Sequence, residues 1–447
     1  MNRLRILGLG GALIVAACSS GVTATPSSRG PSVAPVASQA TQGTGAPDLL
    51  VLRRTDGPAD RGYAVVDGGS MEPLFSLPVG VPSRDWRALY AVTTAGAGTG
   101  AKTTVAAIDP DGGSLVRTIE VPGTWRLPTI GSAQTPAGLA GDGRILVLVE
   151  PAPDETAAVT SSAPKPTDAT TTRFAIVTTD GSAAPKILTL PGSLEYDALA
   201  PNGSALFVLE HVPGADPTHY VVRSIDVAAG RLVDGSIVDK RVPAEAMGGY
   251  AVTQIAGAAG NVYTVYRGPE GPFIHALDTS AAIAFCIDLP GPAEQDEATA
   301  GAWGLTLAPS GRSIYASNGV LGTVAEVDLD SFSVTRTSAL ADTGVTLAKF
   351  GAGTPLRGGQ ATLAGDGSTL YVVGKHGIST VRTRDLVTTG PIGTDRVYRA
   401  VALGPDGRLY AIDATGAVAR LDPVSGQVAV RSAAGTYSGI VAVIPHD

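Results

Sequence analysis

The stretch 398–432, YRAVALGPDGRLYAIDATGAVARLDPVSGQVAVRS, recurs in variant form along most of this 447-residue chain, and that recurrence limits the fold more than any other feature. Taken alone, it parses into four short strands. Val401-Ala402-Leu403 leads into the turn Gly404-Pro405-Asp406-Gly407, where proline presets one dihedral and glycine tolerates positive φ. Leu409-Tyr410-Ala411-Ile412 follows, then a turn at Thr415-Gly416. Residues 417–421 make a third strand, Asp422-Pro423-Val424-Ser425-Gly426 another turn, and 427–431 the fourth. Short strands punctuated this regularly form an antiparallel sheet. One such sheet cannot bury both faces alone, so it should stack on copies of itself.

The copies are present. The first turn returns as Ala364-Gly365-Asp366-Gly367, Ala308-Pro309-Ser310-Gly311, Ala200-Pro201-Asn202-Gly203 and Ala140-Gly141-Asp142-Gly143, with a looser version at Ala259-Gly260-Asn261. A large apolar residue follows each glycine: Tyr410, Tyr371, Tyr315, Phe207, Val147. The third strand closes on an aspartate at Asp67, Asp109, Asp180, Asp226, Asp278, Asp328 and Asp422, and in degraded form at Asp385. Most of these marks are about forty to fifty residues apart, the period of a β-propeller blade. The expected fold is therefore all-β, a propeller of four-stranded antiparallel blades. Whole blades fall at 83–121, 136–190, 195–240, 250–290, 301–340, 359–392 and 398–432. Three strands remain at the front, 49–51, 63–66 and 74–77, and one apolar run at the end, 440–443. If the last run supplies the innermost strand of the first blade, the ring closes with eight blades and leaves no open edge. Seven blades remain open if the unit at Asp385 or the one at 136–190 is misread.

Before the repeats lies a targeting segment. Arg3 and Arg5 precede an apolar run, 6–17, too short to span a bilayer as a mature helix. The run ends in Val15-Ala16-Ala17-Cys18, which resembles the lipobox of bacterial lipoproteins. That resemblance implies a signal peptide at 1–17, cleavage between Ala17 and Cys18, and diacylation of Cys18. Ser19 follows, so the aspartate linked to inner-membrane retention in Gram-negative bacteria is absent. Residues 18–47 are the lipidated cysteine and a stretch rich in Ser, Thr, Pro, Ala and Gly without an aromatic residue, a flexible tether. As a coil it holds the folded part roughly 30 Å from the lipid, and extended it reaches about three times further. The folded domain is 48–447, lipid-anchored through Cys18 in the cell envelope, outside the cytoplasm at the cell surface or in the periplasm.

Composition agrees with a turn-rich repeat: 57 glycines, 32 prolines and 16% charged residues. A formal charge of −8 opposes nucleic-acid binding through a basic field. The turn carboxylates Asp142, Asp366 and Asp406 alternate with Asn202 and Ser310, residue types that bond their own backbone, and so read as structural. Asp109-Pro110-Asp111-Gly112-Gly113 with Glu120 lacks the ligand and the glycine a calcium loop needs. No nucleophile elbow, phosphate loop, dinucleotide fingerprint or zinc spacing occurs, and no catalytic set is assigned. Two arrangements remain open. His211 and His219 share a second-to-third strand loop with His376 in another, so they either converge at the channel mouth or stay separate. Trp86, Trp125 and Trp303, with Arg126, Arg357, Tyr250 and Tyr398, either rim a binding surface or plug gaps between blades. The candidate ligand-binding residues are Trp125, Trp303, Arg357, His211 and His376. Cys286, the one cysteine besides Cys18, is a small buried apolar residue.

The repeat pattern, strand, (P/G)-(D/N/S)-G, strand with Tyr, then V-x-x-(L/V)-D-x-x-(S/T)-G-x-V, resembles bacterial propellers of the YVTN and quinoprotein amine dehydrogenase-like group. It is clearest at 304–337, 360–389 and 398–432. The group includes dehydrogenases, lactonases, lyases and plain binding proteins, so the resemblance implies fold more than function. A quinone cofactor would imply a tryptophan motif in each blade and adjacent cysteines, and copper a histidine cluster. Neither pattern is here, and no cofactor is expected. The expected function is a tethered, non-catalytic binding or scaffold module, monomeric, whose partner is an envelope protein or glycan. The alternative is an extracytoplasmic hydrolase, lyase or lactonase at the channel mouth.

Overall fold

The computed structural model describes residues 47–54, 62–131, 134–151, 169–211, 218–239, 247–341, 360–433, 435 and 437–445. They form eight antiparallel blades in a ring, which removes the seven-bladed alternative. The repeat unit itself is blade 8, with strands Tyr398–Leu403, Leu409–Asp413, Val418–Leu421 and Val428–Arg431 from the channel outwards. Blades 5, 6 and 7 repeat it with first strands Tyr250–Ala256, Trp303–Leu307 and Ala361–Leu363. Blade 2 begins at Gly80–Pro82 and blade 4 at Ser193–Leu199. Blade 3 keeps three full strands, Ile145–Val149, Thr171–Thr178 and Lys186–Pro191, while its innermost member is reduced to two isolated bridges, Arg126 with Val149 and Leu139 with Leu146.

Closure occurs where the sequence places it. Tyr437–Ile444 is the innermost strand of blade 1 and pairs with Leu49–Arg54, Leu49 opposite Ile444 and Leu52 opposite Ile440. Tyr63–Asp67 and Pro73–Leu77 complete that blade. Each of the eight interfaces between neighbouring blades then carries its own apolar cluster. Leu50, Leu52, Tyr410 and Ile412, for example, seal blade 1 to blade 8. The fully buried residues alternate with exposed ones only in the outer strands, because inner strands are covered on both sides by neighbouring blades.

The repeat motifs are local backbone chemistry. Asp67, Asp278, Asp328 and Asp422 each accept two backbone N–H groups of the following turn, as with Ser425 N and Val424 N on Asp422 at 2.7 and 3.1 Å. In the other turn, Asp142, Asn202, Ser310, Asp366 and Asp406 all accept from the backbone N–H two residues on. Asp385, the degraded copy, instead holds the Arg382 guanidinium.

Because strands alternate in direction, first-to-second and third-to-fourth turns share one end of the disc, the turn face. Second-to-third loops and inter-blade connections share the other, the loop face. The chain enters at the turn face: Leu49 is level with Ile444 and Asp67. Asp48 is fastened there by Tyr410 Oη, donating to Oδ2 at 2.7 Å, and by Gly68 N, donating to its carbonyl at 2.7 Å.

Candidate functional site

One inter-blade seam differs from the other seven. Between blades 4 and 5 the apolar contact is split into two small clusters, one around Ala198, Phe207 and Leu277 and one around Leu209, Tyr220 and Tyr266. Polar side chains interrupt it. The innermost strand of blade 4 reads Ser193-Leu194-Glu195-Tyr196-Asp197-Ala198-Leu199, with two acids; the other described innermost strands carry none, though blade 5 has Gln254 and blade 8 has Arg399. Its pairing with Ala205–His211 skips a residue between Tyr196 and Ala198, so Asp197 occupies a β-bulge. Bulges beside active sites typically re-aim one side chain.

Glu195, three residues from the loop face, keeps 43% of its side chain exposed. Its Oε2 lies 3.0 Å from Nε2 of His211, which is buried. Behind this pair run Tyr220, Tyr266 and His275, all buried, with ring centroids 5.8 Å from His211 to Tyr220, then 6.1 Å and 6.1 Å. Gln254 of blade 5 stitches the seam, donating to the Asp197 carbonyl at 3.1 Å and to Thr264 Oγ1 at 2.9 Å. At the outer side, Asp239 accepts from Cys286 N at 2.7 Å, and Cys286 faces His275 across the strand pair.

Six buried atoms of this group have no hydrogen-bond partner among the described residues: Asp197 Oδ2, His211 Nδ1, Tyr220 Oη, Tyr266 Oη and both ring nitrogens of His275. The two tyrosine hydroxyls face one another closely enough for each to shift the other's proton affinity. Each unanswered polar group costs about 1–3 kcal/mol, and six together rival the whole stability of a domain, about 5–15 kcal/mol. Such a concentration marks a functional site more often than a packing accident.

Burial sets the proton affinities. It pushes the Asp197 carboxyl up to about 7, helped by the charge on Glu195. Burial also raises both phenols well above their ordinary range. It depresses the His275 imidazole to about 4, against a smaller opposing pull from Asp239. The seam therefore offers a carboxyl that gives or takes a proton near neutrality, a neutral imidazole, and a solvent-facing carboxylate oriented by His211.

Part of the loop face folds over this seam. A short hairpin, Thr129–Ile130 paired with Thr135–Pro136, leaves the connection between blades 2 and 3 and packs Ile130 with Leu194 and Tyr196 of blade 4. Gly131, at φ 68°, is pressed against blade 5, where an added Cβ would lie 2.1 Å from the Val252 carbonyl oxygen. Only glycine fits that approach.

The residues singled out from the sequence are dispersed. Trp125 is 2% exposed, donates its indole N–H to Pro122 O at 2.7 Å, and wedges blade 2 against blade 3. Trp303, also buried, wedges blade 5 against blade 6. Trp86 sits in a first-to-second turn, at the turn face rather than the rim, because Gly80–Pro82 already forms the first strand. Arg126 pairs its backbone with Val149, and Tyr250 lies under the Arg267 guanidinium at 5.0 Å. His376 is exposed in a loop of blade 7, three blades from His211 and from the exposed His219. Among the described residues no group of His, Cys, Asp or Glu is arranged to hold a metal ion. Cys18 and Arg357 lie outside the described residues. Sequence reasoning missed Glu195, Asp197, Tyr220, Tyr266 and His275; the legible signal was the pair of acids inside an innermost strand.

No known family profile matches this chain, and no curated protein matches it in sequence. Solved structures do match. Dihydro-heme d1 dehydrogenase NirN in complex with DHE aligns at a TM-score of 0.50 and 14% identity, over 92% of this chain and 77% of that one. The periplasmic gluconolactonase PpgL of Pseudomonas aeruginosa aligns at 0.41 and 18%, over 89% of this chain and 98% of that one. BamB of Moraxella catarrhalis aligns at 0.42 and 14%, over 78% and 90%. NirN is a β-propeller, and at such identity the likeness is one of fold alone. The chain is an eight-bladed β-propeller.

Proposed function

We propose that this chain is a lipid-anchored, extracytoplasmic β-propeller that acts as a non-catalytic binding module, with its recognition surface at the mouth of the channel beside blades 4 and 5. The anchor rests on Val15-Ala16-Ala17-Cys18 and the tether behind it. One observation carries the binding role: Glu195, on the innermost strand of blade 4 beside the polar seam, keeps 43% of its side chain exposed. The other candidate groups serve the scaffold, the aspartates as turn caps and Trp125 and Trp303 as wedges. An envelope protein or glycan is the partner class, offering hydroxyl and amide groups to Glu195.

The test is twofold. Cys18→Ala should move the protein from the membrane fraction to the soluble extracytoplasmic fraction, and Glu195→Gln should lower capture of a crosslinked envelope partner at least several-fold. Retention of the alanine variant in the membrane contradicts the anchor; partner capture indifferent to Glu195 contradicts the site. A second reading, a hydrolase, lyase or lactonase, is favoured by one feature. The 3.0 Å contact between His211 and Glu195 would orient Glu195 as a general base. Turnover of lactone or ester substrates lost in Glu195→Gln would select it.

A further inference from the structure

Three carboxylates are buried among the described residues, Asp48, Asp197 and Asp413. Asp48 accepts from Tyr410 Oη at 2.7 Å, and Asp413 accepts from the Arg431 guanidinium and from Thr415 Oγ1, both at 2.6 Å. Asp197 differs from both, because its Oδ2 has no hydrogen-bond partner among the described residues. Nor does a described lysine or arginine offset it: the charge that acts on it is that of Glu195, of the same sign. The arginines on neighbouring strands are committed elsewhere, Arg223 to Glu210 at 2.7 Å and Arg267 over the Tyr250 ring at 5.0 Å. Two acids of one innermost strand thus share a seam, one buried and one half exposed, without a described lysine or arginine to balance them. A buried carboxyl so placed is unfavourable when ionised, and a ligand that carries the missing positive charge relieves it.

The surroundings specify the kind of cation. Tyr220 Oη and Tyr266 Oη, from blades 4 and 5, are buried as well, and both phenols feel the charges of Asp197 and Glu195. A protonated primary amine has three N–H donors and no acceptor, which matches one carboxylate oxygen and two phenol oxygens in number and in sign. A guanidinium holds its donors in a rigid planar fork, suited to the two oxygens of one carboxylate rather than to three groups on separate strands. The walls are aromatic: the rings of Tyr220 and Tyr266 lie 6.1 Å apart, and Phe273 stacks on Tyr266 at 5.3 Å. A cation that leaves water is stabilised by ring faces as well as by a carboxylate. Because Asp197, Tyr220 and Tyr266 are all buried, a slim alkyl stem reaches them with less displacement of packed side chains than a sugar ring does.

We propose that Asp197, Tyr220 and Tyr266 bind a primary ammonium group at the end of an alkyl stem, as a lysine side chain of a partner protein presents it, with Glu195 as the exposed carboxylate that the ligand meets first. This rests on the reading of blades 4 and 5 as the recognition site, and names the ligand chemistry of that site. Dependence on pH is a consequence. The cation binds the ionised carboxylate, whereas Asp197 without ligand holds its proton up to about 7. The amine stays protonated well above that. Affinity should therefore rise about tenfold from pH 6 to pH 8, with nearly one proton released per ligand at pH 6 and almost none at pH 8. The titratable groups that face Asp197 are Glu195 on its own strand, His211 on Ala205–His211 and Tyr220 on His219–Asp226, with Tyr266 on Asn261–Arg267 and His275 on Pro272–Asp278 across the seam. Over this range both phenols stay protonated and His275 stays neutral. The described residues of the hairpin over the seam bring no titratable group.

The experiment titrates the purified full-length protein calorimetrically with Nα-acetyl-lysine N-methylamide at pH 6 and pH 8, in buffers of different ionisation enthalpy. Nα-acetyl-norleucine N-methylamide, which keeps the stem and lacks the amine, and glucosamine are the comparison ligands. We expect the lysine compound to bind several-fold more tightly than the norleucine compound at pH 8, and to lose about tenfold at pH 6 with uptake of the released proton by the buffer. Asp197→Asn should weaken it and abolish the pH dependence; Tyr220→Phe should weaken it several-fold and keep that dependence. Each variant removes a buried atom that lacks a partner, so folding should survive both. Equal binding of the norleucine compound overturns the ammonium group. An amine preference indifferent to pH and to Asp197→Asn overturns the buried site and leaves the cation on Glu195 alone. Glucosamine bound more tightly than the lysine compound overturns the slim stem. Absence of binding by all three ligands at millimolar concentration overturns the proposal, while capture of an envelope partner that still depends on Glu195 would leave the recognition surface standing.

Discussion

Asp197→Asn should stabilise the folded protein at pH 8 and change little at pH 4. The native carboxyl is raised by burial to about 7, whereas in the unfolded chain it returns to an ordinary value near 3.9. The sign follows from which state holds the proton more tightly. Below pH ~4 both states are protonated and the site costs nothing; above it the unfolded chain releases its proton first, and folding stability falls by about 1.4 kcal/mol per pH unit. The loss is complete once pH passes about 7, at roughly 4 kcal/mol. Asparagine keeps the shape and cannot ionise, so the difference between variant and native protein should grow from near zero at pH 4 toward that figure at pH 8. Urea unfolding across this range measures it, and titrating groups that do not interact with Asp197 cancel in the difference. Glu195→Gln, which removes the charge that assists the rise, should make the loss smaller and end it at a lower pH. A variant-minus-native difference that is flat with pH, or that widens toward acid, refutes the reasoning.

Four further outcomes follow from the packing. Trp303→Ala, which empties the wedge between blades 5 and 6, should cost about 3–5 kcal/mol in urea unfolding. Tyr410→Phe removes the donor that holds Asp48 Oδ2 and should cost about 1–3 kcal/mol, with faster proteolysis near residue 48. Gly131→Ala forces a Cβ into the Val252 carbonyl and should loosen the hairpin over the seam, seen as faster amide exchange at Thr129 and Ile130 with the blades otherwise unchanged. Deleting 437–447 removes the innermost strand of blade 1 and bares the Leu49–Arg54 edge, so the protein should leave the monomer peak in gel filtration.

The fold was legible because its marks are short-range. The turn Gly404-Pro405-Asp406-Gly407 and the capping aspartates, such as Asp422, are read within a few residues, and their spacing counts the blades. Even closure by 440–443 could be read, since an orphan apolar run and an incomplete first blade leave one solution. The site was less legible. Tyr220, Tyr266 and His275 lie on different strands of two blades, and only the packing of blade 4 on blade 5 brings them to Asp197. The bulge that re-aims Asp197 depends on its pairing with 205–211, which no local pattern announces. The tryptophans stayed ambiguous for a related reason: a large apolar residue near the end of a strand has the same sequence signature whether it meets a ligand or the next blade. Trp125 meets the next blade.

The most direct test of the account is the intact mass of the mature protein purified from membranes. We expect a chain that has lost residues 1–17 and begins at Cys18 bearing a diacylglycerol, with the lipid retained on the N-terminal peptide after proteolysis. A mature chain that begins at another residue, or at Cys18 without lipid, contradicts the tethered propeller.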